Sequence, residues 1–128
     1  MTTVVHHGKP VPWKRTRGQG NRRYLDPDYR AWKEAFGWSA KQAHDGIPWD
    51  WPVVVGILIA PDGVKAKFVP LGIDPKFDSV PIVERPKGIR FDIDNGIKAI
   101  LDSVQGIIIV DDRLVVAVRA AFVETVNA

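Results

Sequence analysis

The apolar positions of this chain change period along its length, and each change marks an element. Residues 2–6 are rich in β-branched side chains and predict a short strand. Gly8, Pro10, Pro12, Gly18 and Gly20 then fall among basic residues, so residues 8–25 predict an extended loop. Asp26-Pro27-Asp28 predicts a helix start. Asp26 can cap free N–H groups, Pro27 fits the first turn, and Asp28 suits the positive end of the helix dipole. Trp32, Ala35, Phe36, Ala40 and Ala43 recur at helical spacing, which carries that helix to about residue 44. Gly37 weakens it only modestly.

Residues 45–52 contain Gly46, Pro48 and Pro52 and form a connection. Residues 53–59 are a short continuous apolar run, as expected of a strand buried on both faces. A second strand is expected at 64–69, a loop at 71–79 and an extended segment at 80–84. Asp94 is expected to cap a helix whose stripe is Ile97, Ile100, Leu101 and Val104, stopped by Gly106. Residues 107–110 then read as a buried strand ending at Asp111-Asp112, and 114–126 as a long final strand. The expected fold is α+β, a small mixed sheet packed with two main helices in one domain spanning residues 1–128.

A chain of 128 residues suffices for one real core and not for two. The absence of cysteine excludes disulfides and thiolate metal sites and fits a reducing cytoplasm. The N-terminus lacks a signal peptide's apolar run, and nothing approaches the ~18 apolar residues that span a bilayer. A cytoplasmic protein with no membrane partner is expected. The net charge of +3 hides an asymmetry: residues 1–44 hold nine Lys/Arg against three Asp/Glu, and residues 45–128 hold nine against twelve. A basic opening suits a polyanion, DNA above all, although a solvated basic loop has the same composition.

The candidate chemistry lies further along. Asp92, Asp94, Lys98, Asp111 and Asp112 fall within one stretch. If residues 92–94 are extended, the first two carboxylates project to one side about 6.6 Å apart. Lys98 lies one helical turn beyond Asp94, and Asp102 continues that face, where it could pair with Lys98. A return strand at 107–110 would bring Asp111 or Asp112 back to the pair. Three carboxylates within ~5 Å repel by about 3 kcal/mol per pair at an effective dielectric near 20, so such a cluster takes up a proton, a cation or a metal. All-oxygen ligands favour Mg²⁺ or Mn²⁺, which can lower the pKa of a bound water and neutralise charge in phosphodiester hydrolysis. Lys98 would add positive charge at the scissile phosphate. Each residue taken alone also has a structural role open to it, as helix cap, surface ion pair or turn.

Lys14, Arg15, Arg17, Arg22 and Arg23 lie in the Gly-rich loop, and Arg85, Lys87 and Arg90 immediately precede the acids. Both sets can track phosphates. His6 and His7 are adjacent and point to opposite faces of a strand, so they cannot share one metal. Gly18-Gln19-Gly20 lacks the strand-to-helix context of a phosphate loop. Trp32 and Trp38 suit core or dimer contacts, and Trp13 could stack on a base.

Asp92-Ile93-Asp94-Asn95, Lys98, Leu101-Asp102, Gly106 and the apolar run into Asp111-Asp112 together resemble the RusA family of Holliday junction resolvases. The basic opening from Gly8-Lys9-Pro10 to Arg17 is similar to that family's start. The resemblance implies metal-binding catalytic carboxylates at Asp92, Asp94 and Asp112, a catalytic lysine at Lys98 and an accessory acid at Asp111. It further implies a homodimer, often phage-borne, that binds four-way junctions and other branched DNA and makes paired symmetric nicks with Mg²⁺. Two other functions use the same features. One is a branched-DNA-binding protein without catalysis, and the other is a metal-dependent phosphohydrolase of small nucleotides. A small substrate would not need the basic footprint.

Overall fold

Val53, Val55, Ile57 and Ile59 point to one side of a strand whose other side also buries Leu58 and Ala60, so this strand is the centre of the molecule. The computed structural model describes residues 1–14, 17–19, 22–76 and 80–127. The order of elements is β1 (Thr2–His7), β2 (Arg17–Gln19), β3 (Arg22–Tyr24), α1 (Pro27–Ala43), β4 (Val53–Ala60), β5 (Gly63–Pro70), α2 (Ile93–Val104) and β6 (Val115–Phe122). Four strands form a mixed sheet in the order β1-β5-β4-β6, and β2 pairs with β3 in a separate ribbon. β4 runs antiparallel to β5 and parallel to β6, and β1 is antiparallel to β5. The α+β fold with two helices and one small mixed sheet is therefore as expected.

Both helices lie on the face that carries Val4, Phe68, Ala66, Val55 and Ile57, and their buried residues complete one core with it. Each fully buried aliphatic side chain of this kind contributes roughly 1.5–3 kcal/mol. α1 begins as its sequence dictates: the Asp26 carboxylate accepts from the N–H groups of Asp28 (3.0 Å) and Tyr29 (3.2 Å). α1 is fixed to β1 by a hydrogen bond between His6 Nδ1 and Ser39 Oγ at 2.8 Å, with Trp32 and Phe36 stacked beside the imidazole. Burial lowers the His6 pKa, with His7 adding to the effect.

α2 crosses from the top of β4 to the start of β6. Gly96 near its N-terminus lies against Ile59, and a Cβ there would meet Ile59 Cδ1 at 2.7 Å. At the other end Val115 is in register with Val53, the first residue of β4. α2 therefore descends beside β4, and the chain then turns up again into β6.

Several expectations are corrected. Residues 107–110 are a turn and not a strand: the N–H groups of Ile107 and Ile108 both return to the Val104 carbonyl, each at 3.0 Å, and Ile109 makes only isolated bridges with Trp49 and Gln105. The reversal uses Gly106 at φ +78, a left-handed conformation that glycine adopts freely. The last strand is shorter than expected: it starts one residue later, after a 3-10 turn at Asp112–Leu114, and it ends at Phe122 and not at 126, because the residues beyond it turn to the Asp62 carboxylate. The N-cap of α2 is Asp92, and Asp94 lies inside the first turn. The basic loop also contains the β2–β3 ribbon, which no apolar alternation announced.

Candidate active site

Residues 92–94 are the start of a helix and not an extended strand, because the α2 stripe of Gly96, Ala99, Ile100, Ser103 and Val104 packs inward from its first turn. Asp92 has extended backbone geometry, and its carbonyl accepts from the N–H of Asn95 at 3.1 Å and of Gly96 at 3.4 Å. Its carboxylate makes no cap hydrogen bond. The side chain is 80% exposed, with Arg85 Nη1 at 3.4 Å. Asp94 is exposed in the first turn. An acid at a helix N-terminus is favoured by the dipole whether or not it caps. Asp92 and Asp94 are thus presented to solvent from a rigid helix end.

Lys98 is also exposed, but it does not pair with Asp102. Its ammonium sits over the Trp13 ring at 5.3 Å from the centroid. The Trp13 backbone N–H donates to the Asn95 carbonyl at 3.1 Å. The opening segment of the chain is therefore docked on the first turn of α2. Spacing could not have revealed this, since the two partners lie more than eighty positions apart. Asp102 instead accepts from the Tyr29 hydroxyl at 2.6 Å and pairs with Lys33 at 3.2 Å, which fastens α2 to α1.

Asp111 and Asp112 stand at the opposite end of α2. Asp111 Oδ1 accepts from the Arg113 N–H at 2.9 Å, which holds its carboxyl below the ordinary range. Asp112 is pushed up, first by desolvation, then by its hydrogen bond with Asp111 and the charges of Asp111 and Asp102. A helix of 12 residues spans about 18 Å, so α2 itself separates this pair from Asp92 and Asp94. Among the described residues, no three His, Asp or Glu side chains converge closely enough to hold a metal ion. The donors are the oxygens a hard cation prefers, but one chain does not gather all of them at one point.

The basic residues divide into tied and open ones. Lys14 pairs with Asp26 at 3.5 Å, and Arg85 with Asp92. Lys87 and Arg90 are exposed. Lys9, Pro10, Lys14, Arg90 and Phe91 line one groove that runs from the opening segment to the residue before Asp92. Lys9 belongs with this set, and only its place in the groove reveals it. Arg17, Arg22 and Arg23 lie on the β2–β3 ribbon, and Arg15 lies outside the described residues. Trp32 is buried, whereas Trp38 is 65% exposed beneath Lys41. No helix of the described residues is long and apolar enough to cross a membrane.

A family model described as Endodeoxyribonuclease RusA matches residues 7–128. No curated protein matches the chain.

Proposed function

Because the chain belongs to the RusA family of endodeoxyribonucleases, whose members resolve Holliday junctions, we propose that it cuts four-way and related branched DNA as a Mg²⁺-dependent homodimer making paired symmetric nicks. Residues 1–128 act as one unit in this reading. The observation that carries it is the docking of Trp13 on the start of α2, with its N–H on the Asn95 carbonyl and its ring against the Lys98 ammonium, which sets a basic segment beside two exposed carboxylates. DNA binding needs cations that follow phosphates, and hydrolysis needs acids that hold a divalent cation at one of them. Here the two lie side by side.

In this reading Asp92 and Asp94 would be the primary ligands, Asp112, which α2 holds away from them within one chain, would complete the set from the second copy of the homodimer, and Asp111 would orient its neighbour. Mg²⁺, or Mn²⁺ in its place, supplies positive charge that relieves the acids and the phosphodiester alike. Lys98 adds a fixed cation near the scissile phosphate, aimed by its contact with Trp13. Lys9, Lys14, Lys87 and Arg90 position the strand that enters the site, and Arg15, Arg17, Arg22 and Arg23 extend the footprint. Arg85 screens Asp92 until DNA arrives and then turns to a phosphate. Two-fold symmetric nicks require two sites related by a two-fold axis, which a homodimer provides. The expected location is the cytoplasm of a bacterium, including one infected by a phage.

A labelled four-way junction and a linear duplex of matched sequence, each with Mg²⁺ and with EDTA, test the reading. Paired nicks in the junction alone, abolished by EDTA, are expected. Equal cutting of both substrates, or cutting that persists in EDTA, would contradict it.

A further inference from the structure

A second groove lies at the end of α2 that is away from Asp92 and Asp94. Its wall is the face of α1 that bears Arg30, Lys33, Trp38 and Lys41, residues whose spacing puts them on one side of the helix. Its floor includes Ser103 and Ile107, from the last turn of α2 and the turn beyond it. Gly37 lets wall and floor close on each other, since a Cβ there would meet Ile107 Cδ1 at 3.3 Å. The groove has a volume of about 620 Å³, in the range of sites that take small organic groups. Past Ile107 the chain runs on to Asp111 and Asp112, so the groove borders that end of the proposed chemistry.

Trp38 is the unusual member. It is 65% exposed and takes no part in the core, although a ring of that size would stabilise the core strongly if buried. The Lys41 ammonium sits over the indole at 5.5 Å from the centroid, and among the described residues no acid pairs with Lys41. The acids of the groove are already engaged, Glu34 by Arg30 at 3.2 Å and Asp102 by Lys33 and the Tyr29 hydroxyl. Arg30 and Glu34 are both exposed, so their pair opens at little cost. The β2–β3 ribbon, which carries Arg17, Arg22 and Arg23, ends at Tyr24, next in sequence to Leu25 on the rim. The surroundings of the indole are cationic on balance.

A bare indole among cations suits a ligand that carries flat rings and negative charges on one chain, as a single nucleic acid strand does. We propose that this groove is a second DNA site, which takes a short unpaired stretch at the branch, with one base stacked on Trp38 and neighbouring phosphates on Lys41, Lys33 and Arg30. Paired bases are stacked inside the duplex and offer no face to a helix surface, so the site selects unpaired nucleotides. From Arg30 to Lys41 the helix rises about 16 Å, the length of a few nucleotides of one strand. Stacking tolerates any base, because every base has an aromatic face. The groove therefore favours branches with a gap, a flap or an open centre over fully paired ones, whatever their sequence.

This inference rests on the DNA-cutting reading, and one set of titrations separates the two. Affinity for a labelled oligothymidylate is measured by fluorescence anisotropy with wild type, Trp38→Leu, Trp38→Phe and Lys41→Ala. A labelled heparin fragment serves as a polyanion without bases. Trp38→Leu keeps the apolar bulk but cannot stack, and it is expected to bind oligothymidylate about tenfold more weakly, as loss of one aromatic–base contact does. Trp38→Phe should restore most of that affinity, and heparin should bind equally to wild type and both Trp38 variants. Lys41→Ala should lower the slope of log affinity on log salt by about 0.7, the share of one phosphate. Should Trp38→Leu fail to fold, the Lys41→Ala slope decides alone. Wild-type affinity in Trp38→Leu, or an unchanged slope in Lys41→Ala, would overturn the site. Equal losses for oligothymidylate and heparin would overturn the stacking. A changed oligomeric state of Trp38→Leu in sedimentation would mark the face as a protein contact and overturn it as well. A wild type that nicks four-way junctions but does not bind oligothymidylate would overturn this inference alone. One that binds neither substrate would remove the DNA reading with it.

Discussion

The Tyr29 hydroxyl donates to Oδ2 of Asp102 across 2.6 Å, and this bond joins the first turn of α1 to the last turn of α2. Tyr29 is wholly buried, and Lys33 shares the same carboxylate oxygen at 3.2 Å. A hydrogen bond to a charged group in such a place contributes about 1.5–3 kcal/mol. Tyr29→Phe should cost about that much in urea unfolding, without altering the fold.

The same pair sets an alkaline limit. Burial first, and the Asp102 carboxylate second, raise the Tyr29 pKa above its ordinary value of 10.0. A raised folded-state value means that the native state keeps a proton which the unfolded chain gives up. The stability from Tyr29 is therefore complete below pH 10 and declines as pH rises beyond it. Wild type should lose stability more steeply than Tyr29→Phe above that point, as read by thermal unfolding in alkaline buffers.

Gly96, in the first turn of α2, lies close against β4. A methyl group there would meet Ile59 Cδ1 at 2.7 Å and the Phe91 ring at 3.0 Å. Overpacking of this kind costs about 1–3 kcal/mol. Gly96→Ala should be destabilised by less than that amount, because alanine's greater helix preference returns up to about 1 kcal/mol. An unchanged unfolding midpoint would show that α2 can lift off Ile59 freely.

The chain end is tied by one acid. The Asp62 carboxylate accepts from the Thr125 hydroxyl, the Val126 N–H at 3.1 Å and Asn127 Nδ2 at 2.8 Å. The Thr125 bond is the largest of the effects that hold its pKa below the ordinary range. A lowered folded-state value gives stability that is present above the unfolded carboxylate range and lost as pH falls through the folded one. The protection of the Val126 amide, its hydrogen exchange measured against the intrinsic rate at the same pH, should therefore fall on acidification in wild type. In Asp62→Asn that protection should already be low at neutral pH.

Much of this architecture was legible in the chain. The α1 start followed from Asp26-Pro27-Asp28 because a cap, a proline and the dipole all act within four residues. β4 followed from its unbroken apolar run. What misled was the stretch around the acids. Residues 107–110 are as apolar as a strand, but Gly106 turns them back onto the Val104 carbonyl, and burial of Ile108 and Ile109 needs no ladder. Asp92 and Asp94 have strand-like spacing, but the packing of Gly96 and Ile100 makes them a helix start. The ties that shape the site, Trp13 to Asn95 and Tyr29 to Asp102, cross between distant segments and leave no local pattern.

Lys98 offers a sharper probe of chemistry than any of the loop cations. Its ammonium is held over Trp13 and not in an ion pair with Asp102. Loss of one fixed charge-stabilising group typically slows a reaction about 10²–10³-fold. Lys98→Ala should lower single-turnover nicking by that factor while junction affinity changes several-fold at most. Trp13→Ala should reproduce part of the defect, because the lysine loses its rest.

The most direct measurement of the central claim is single-turnover nicking of a four-way junction by Asp94→Asn, paired with its junction affinity. Asp94 is exposed at the start of α2, so its replacement by asparagine leaves the fold intact. The account predicts affinity within a few-fold of wild type and nicking reduced beyond detection. Nicking at the wild-type rate would contradict it and leave Asp94 with no part in catalysis.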